Sequence, residues 1–222
     1  MLVAFIAAFA YIESSVVVYL RAIFYRDGFT FPIADFASME GALRFLLIEI
    51  GREAATLVLI FTSAYLMVKS LRHRLAYFMI IFAVWDIFYY IWLKLLLDWP
   101  ASLLDWDILF LMPTVWAGPV LAPLITSAVM LWIARLLLRD RPLNIPKGRW
   151  GGLIVCTIGI VICFCIPGPH VTKPEYASYF SWPVFLVLHV ALVVLLHRSA
   201  SNAAPASIKN SVAVVSNAFH MQ

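Results

Sequence analysis

Apolar residues in this chain come in long blocks, and that pattern limits the fold more than any motif does. Six such blocks stand out: Leu2–Phe24, Ala42–Val68, Leu75–Leu97, Pro119–Leu138, Gly151–Ile166 and Tyr179–Leu196. A hydrocarbon layer about 30 Å thick is crossed by about 20 helical residues, and the blocks suit that length. The chain is 64% hydrophobic and 13% charged, with a mean hydropathy of +0.95, whereas soluble domains run near about 45–50% apolar and about 25% charged. An ordinary soluble domain is excluded. Lipid-exposed strands would leave amides unpaired, and the alternation of a membrane barrel is absent, so the spans are expected to be helical. The expected fold is an all-α polytopic membrane protein, a bundle of six transmembrane helices over residues 1–198. The small, polar stretch 199–222 is read as a partly disordered cytoplasmic tail.

Charge between the blocks sets the orientation. The turn Lys69-Ser70-Leu71-Arg72-His73-Arg74 is basic, as is the stretch carrying Arg135, Arg139, Arg141, Lys147 and Arg149. The segment with Asp98, Asp105 and Asp107 has no basic residue, and the connection Pro167–Tyr179 offers only Lys173 against Glu175. Basic loops stay on the cytoplasmic side, so both chain ends are expected there, in a bacterial-type cytoplasmic (inner) membrane. The net charge of +4 therefore reads as topology, and no nucleic-acid partner is expected. The opening MLVAFIAAFA lacks a preceding basic residue and runs into Glu13, which favours a span over a cleaved signal peptide.

Ahead of the fourth block, Trp106–Trp116 is apolar and is followed by Gly118-Pro119 and then Pro123. A re-entrant or surface-lying helix leading into a kinked span is one reading. An interfacial loop with its tryptophans at headgroup level is the preferred one, because Trp gathers there. Trp92, Trp106, Trp116, Trp150 and Trp182 all fall near expected span ends, while Trp85 beside Asp86 stands out as a candidate cavity wall.

The first three blocks carry ionisable residues where each costs several kcal/mol unless paired or hydrated. Glu13 and Arg21 lie in the first. Glu49, Arg52, Glu53 and Thr56 follow at spacings of three and four in the second, which puts them on one helical face. Asp86, Tyr90 and Lys94 recur every four residues in the third. The acids are nearly balanced by Arg21, Arg52 and Lys94, as desolvated charges require. One reading makes these pairs structural, with Arg21 and Lys94 snorkelling outward. The other makes them a site, since charges inside a membrane mark pathways.

Short catalytic motifs, phosphate loops and dinucleotide fingerprints are missing. Cys156, Cys163 and Cys165 lack metal spacing and read as core residues. His189 is the one histidine well inside a block and reads as a hydrogen-bonded core residue, so no haem or other cofactor is expected. A carboxylate metal site of Glu13, Glu49, Glu53 and Asp86 lacks the Glu-x-x-His pairs of di-iron bundles, and no metal is expected.

The leading expectation is binding and transport of a small polar or ionic solute, with or without protons. Glu13, Arg21, Glu49, Arg52, Glu53, Asp86, Tyr90 and Lys94 form the expected site, with Asp86 and Glu53 titrating, Arg52 balancing charge, and Tyr90 and Lys94 at the entrance. The alternative is a membrane-embedded enzyme, or a redox-complex subunit, that uses the same cluster for a metal, quinone or lipid head group. Partner membrane subunits fit either reading, and the substrate itself is not legible.

Overall fold

The computed structural model describes residues 1–26, 28–33, 42–139 and 145–201. Most of the expected tail, together with Arg141, lies outside them. Among the described residues the chain forms α1 (Leu2–Phe24), α2 (Ala42–Met67), α3 (Leu71–Leu97), strands β1 (Trp106–Phe110) and β2 (Trp116–Pro119), α4 (Leu121–Leu137), α5 (Lys147–Cys165) and α6 (Trp182–Ser201). Short 3-10 turns at Gly168–His170 and Tyr176–Tyr179 join α5 to α6.

Among the described residues four helical stretches are long and apolar enough to cross a membrane: Leu2–Phe24, Leu71–Leu97, Lys147–His170 and Tyr176–Ser199. Two elements stand apart from them. α2 places Arg44, Glu49, Arg52 and Glu53 within its 26 residues, and α4 has only 17. α4 is shorter than its apolar block because Pro119 belongs to β2. Pro123 then falls in the first turn of α4, where its missing N–H would have had no intrahelical partner, so no kink need follow. α3 begins at Leu71, so the last four of the six residues of the basic turn already form its first helical turn.

Apolar side chains cover the outside of the bundle and polar ones gather within it. On α2, Leu47, Ile48, Val58, Leu59, Phe61 and Leu66 are exposed, while Glu53 and Thr56 are buried. That inside-out arrangement suits a lipid solvent. Among the described residues the interior holds two large apolar clusters and a small third one of Ile33, Ala117 and Val171. One joins Ile6 and Ala10 of α1 to Ile60 and Ala64 of α2 and to Ile81 and Trp85 of α3. The other joins Ile133 and Leu136 of α4 to Cys156, Ile160 and Phe164 of α5 and to Phe185, Leu192 and Leu196 of α6.

Between α3 and α4 the chain forms an antiparallel β-hairpin, where a helix or an interfacial loop was expected. The register pairs Trp106 with Pro119, Asp107 with Gly118, Ile108 with Ala117 and Phe110 with Trp116, with a bulge around Leu109. Pro113, Gly118 and Pro119 break any helix, and Trp, Ile and Phe suit a strand packed on both faces. Phe110 packs on the α1–α3 cluster, whereas Trp106, Leu109 and Trp116 pack on the α4–α6 cluster. Gly118 makes room for this: a Cβ there would stand 3.3 Å from the Phe164 ring and 3.4 Å from that of Phe180. Here the Leu111 amide donates to Glu53 at 2.9 Å, and the Val120 and Leu121 amides donate to the Asp105 and Leu103 carbonyls at 2.9 and 2.8 Å.

Candidate functional site

α1, α2, α3 and the hairpin converge on one charged cluster. Glu13 is buried at the middle of α1, where it accepts a hydrogen bond from the Thr56 hydroxyl at 3.0 Å and pairs with Arg52. The guanidinium of Arg52 also reaches Glu49, one turn away, at 2.8 Å. The spacing of three and four read from α2 therefore does bring these groups onto one face. Ser14 holds α1 against α3 by donating to the Tyr89 carbonyl at 3.2 Å.

Asp86 is buried on α3 and accepts a hydrogen bond from Ser127 of α4 at 2.7 Å. Arg21 does not snorkel. It pairs with Asp107 of β1 at 3.1 Å, both side chains being buried, and its guanidinium lies 4.1 Å from the centre of the Phe29 ring and 3.8 Å from that of Trp99. Tyr89 donates to the other oxygen of Asp107 at 3.4 Å.

These groups line two adjoining cavities. An inner chamber of about 400 Å³ is bounded by Glu13, Arg52, Glu53, Asp86, Tyr89 and Tyr90, by Ser127 and Thr126 of α4, and by Phe82, Trp85, Phe110, Trp116 and Phe164. A vestibule of about 340 Å³ is bounded by Arg21, Glu49, Arg52, Glu53, Tyr89 and Asp107 and by Val171 and Thr172 of the α5–α6 connection. Val17, Arg52, Glu53, Tyr89 and Ile108 belong to the walls of both. Of the expected site residues, the inner chamber thus collects Glu13, Arg52, Glu53, Asp86 and Tyr90, and the vestibule Arg21, Glu49, Arg52 and Glu53.

Lys94 sits apart. It pairs with Asp98 at 2.7 Å and donates to the Asp98 and Pro100 carbonyls at 3.2 and 3.1 Å, lining a separate cavity with Tyr90 and Leu124. Lys94 beside it holds the Asp98 carboxyl below its ordinary range.

Asp107 and Ser127 are the groups that sequence reading missed. Asp107 passed for one of three loop acids, although its place inside the apolar run Trp106–Phe110 was a usable signal. Trp85 does form a cavity wall. Trp92 donates its indole N–H to the Ala7 carbonyl of α1 at 2.9 Å. His189 is buried in α6, with its two ring nitrogens 2.9 Å from the Phe185 carbonyl and 3.2 Å from the Thr126 hydroxyl. Among the described residues no three His, Cys, Asp or Glu side chains group closely enough to hold a metal ion.

No protein family, curated protein or solved structure is matched by this chain.

Proposed function

We propose that this membrane protein binds a small polar or ionic solute in the inner chamber and carries it across the bilayer through the vestibule. The observation that carries this reading is the wall shared by the two cavities, where Arg52 and Glu53 stand between a mid-depth chamber and a vestibule nearer the helix ends. Charged groups at membrane depth are expensive, and a hydrated pathway accounts for that cost better than packing alone. In this reading α2 and α4 cross the bilayer with the four more apolar stretches, giving six spans. The exposed apolar face of α2 supports it.

The same reading puts both chain ends on the cytoplasmic side of a cell membrane and the vestibule on the outside. Arg72, in the turn between α2 and α3, donates to the Arg139 carbonyl just beyond α4 at 2.5 Å. The two basic connections therefore lie at one end of the bundle, as the charge rule for cytoplasmic loops requires.

The test is solute-driven current and accumulation in proteoliposomes of the purified full chain, across a panel of organic cations, organic anions, neutral polar solutes and inorganic ions. Flux of at least one solute, abolished by Glu53→Gln in protein that still elutes as a folded species, is the expected result. Absence of flux for every class, or flux unchanged in Glu53→Gln, would overturn the reading. Variants at Glu53 and Asp86 that only lower stability would make the cluster structural.

A further inference from the structure

The charges around the two cavities do not balance. Glu13 and Glu49 share Arg52, and Asp107 has Arg21. Lys94, the third cation that sequence alone would have assigned here, is engaged elsewhere by Asp98. Among the described residues Glu53 and Asp86 are left with no ion pair. Glu53 receives the Leu111 amide, and Asp86 receives a single hydroxyl, that of Ser127. A carboxylate accepts several hydrogen bonds, so Asp86 keeps most of its capacity unused inside a buried chamber.

A second observation is independent of the acids. Trp85 adjoins Asp86 on α3, is 6% exposed and borders the same chamber, and its indole N–H has no hydrogen-bond partner. A buried donor is almost always satisfied by protein, water or a guest, so this one is open to a guest's acceptor, as are the Tyr90 hydroxyl and the Trp116 indole N–H on the same wall, which also lack a partner. Aromatic rings make up much of the remaining wall, beside aliphatic side chains such as Ile108, Met130 and Ile160. Phe82 and Tyr89 flank Trp85 with ring centres 5.7 and 6.2 Å away, and Phe110 and Trp116 face each other across the hairpin at 5.7 Å.

These features select among ligand classes. An anion would meet two spare carboxylates and no spare guanidinium. A bare inorganic cation would have to shed its water against aromatic rings, where among the described residues no group of three or more His, Cys, Asp or Glu replaces it. An ammonium group on an apolar body meets both needs, because aromatic faces attract cations and a carboxylate neutralises them. A chamber of about 400 Å³ lies within the usual range for small organic ligands.

We propose that the inner chamber is a binding site for an organic amine, with the ammonium at Asp86 between aromatic faces and an acceptor on the amine's body taking the Trp85 N–H. The proposal names the solute class for the transport reading and rests on the chamber being that solute's site.

The test is titration calorimetry of the full chain in lipid nanodiscs at neutral pH. The probes are tyramine, phenethylamine and tryptamine, each beside its alcohol counterpart, with hydroxyphenylpropionate as the acid. At least one amine should bind one to one and about tenfold or more tightly than its alcohol. Asp86→Asn should remove that preference, Asp86→Glu should retain part of it, and Trp85→Phe should weaken an amine bearing a hydroxyl more than phenethylamine. If Asp86→Asn does not fold, the wild-type amine-to-alcohol ratio and Asp86→Glu still decide. Equal affinities for amine and alcohol, preference for the acid, or an unchanged ratio in folded Asp86→Asn would overturn the site. Amine binding without flux would sink transport and leave the amine site standing. Flux of another solute without amine binding would do the reverse.

Discussion

Arg21 and Lys94 both lie in the last turn of a long apolar helix, and a sequence offers the same reading for each. Their surroundings set them apart. Arg21 is buried between two aromatic faces and a carboxylate, whereas the Lys94 side chain is 49% exposed and its partner almost wholly so. Removing one member of a buried pair strands the other, at a cost of about 3–5 kcal/mol. Asp107→Ala should therefore destabilise the protein by about that much, read as lost denaturant resistance in detergent micelles, while Lys94→Ala should leave the unfolding midpoint unchanged. Near-equal effects would mean that Arg21 is solvated after all. At this scale the sequence showed what lies within one helix. Glu49 and Arg52 are three residues apart and do meet, but Arg21 and Asp107 are separated by 86 positions, and no local spacing reports such a pair.

The hairpin is the element that most changes the site. It supplies Asp107 to Arg21, the Leu111 amide to Glu53 and two aromatic rings to the chamber wall. Its segment was hard to read because both of its faces are packed, so the alternation that marks a half-buried strand is missing. Apolarity with Gly and Pro punctuation is equally what an interfacial loop shows. Gly168 fixes its position from the other side: a methyl group there would run into the Val115 carbonyl, a backbone group with nowhere to move. Gly159 looks similar, since its added methyl would stand 2.8 Å from Leu188, yet a leucine tip can rotate away. Gly168→Ala should cost about 1–3 kcal/mol in thermal unfolding and Gly159→Ala clearly less. The opposite order would mean that close α5–α6 packing, rather than the hairpin, limits stability.

Across the whole molecule, orientation is the claim most open to direct measurement. In a background with Cys156, Cys163 and Cys165 replaced by alanine, single cysteines at the exposed positions Ser102 and Glu175 should react with an impermeant maleimide in intact cells. A cysteine at exposed Lys69 should react only once the cytoplasmic face is opened. The reverse pattern would invert the bundle and turn the vestibule inward. The apolar solvent, the helices, four of them long and apolar enough to cross a membrane, and the polar face of α2 were legible beforehand, because hydropathy, helix periodicity and charge bias act over neighbouring residues. The partners of Asp86, Arg21 and Glu53, the departure of Lys94 from the cluster and the cavity pair were not. Each depends on which helices and which hairpin pack together, and that is settled by side-chain fit and buried-charge pairing between segments far apart in the chain.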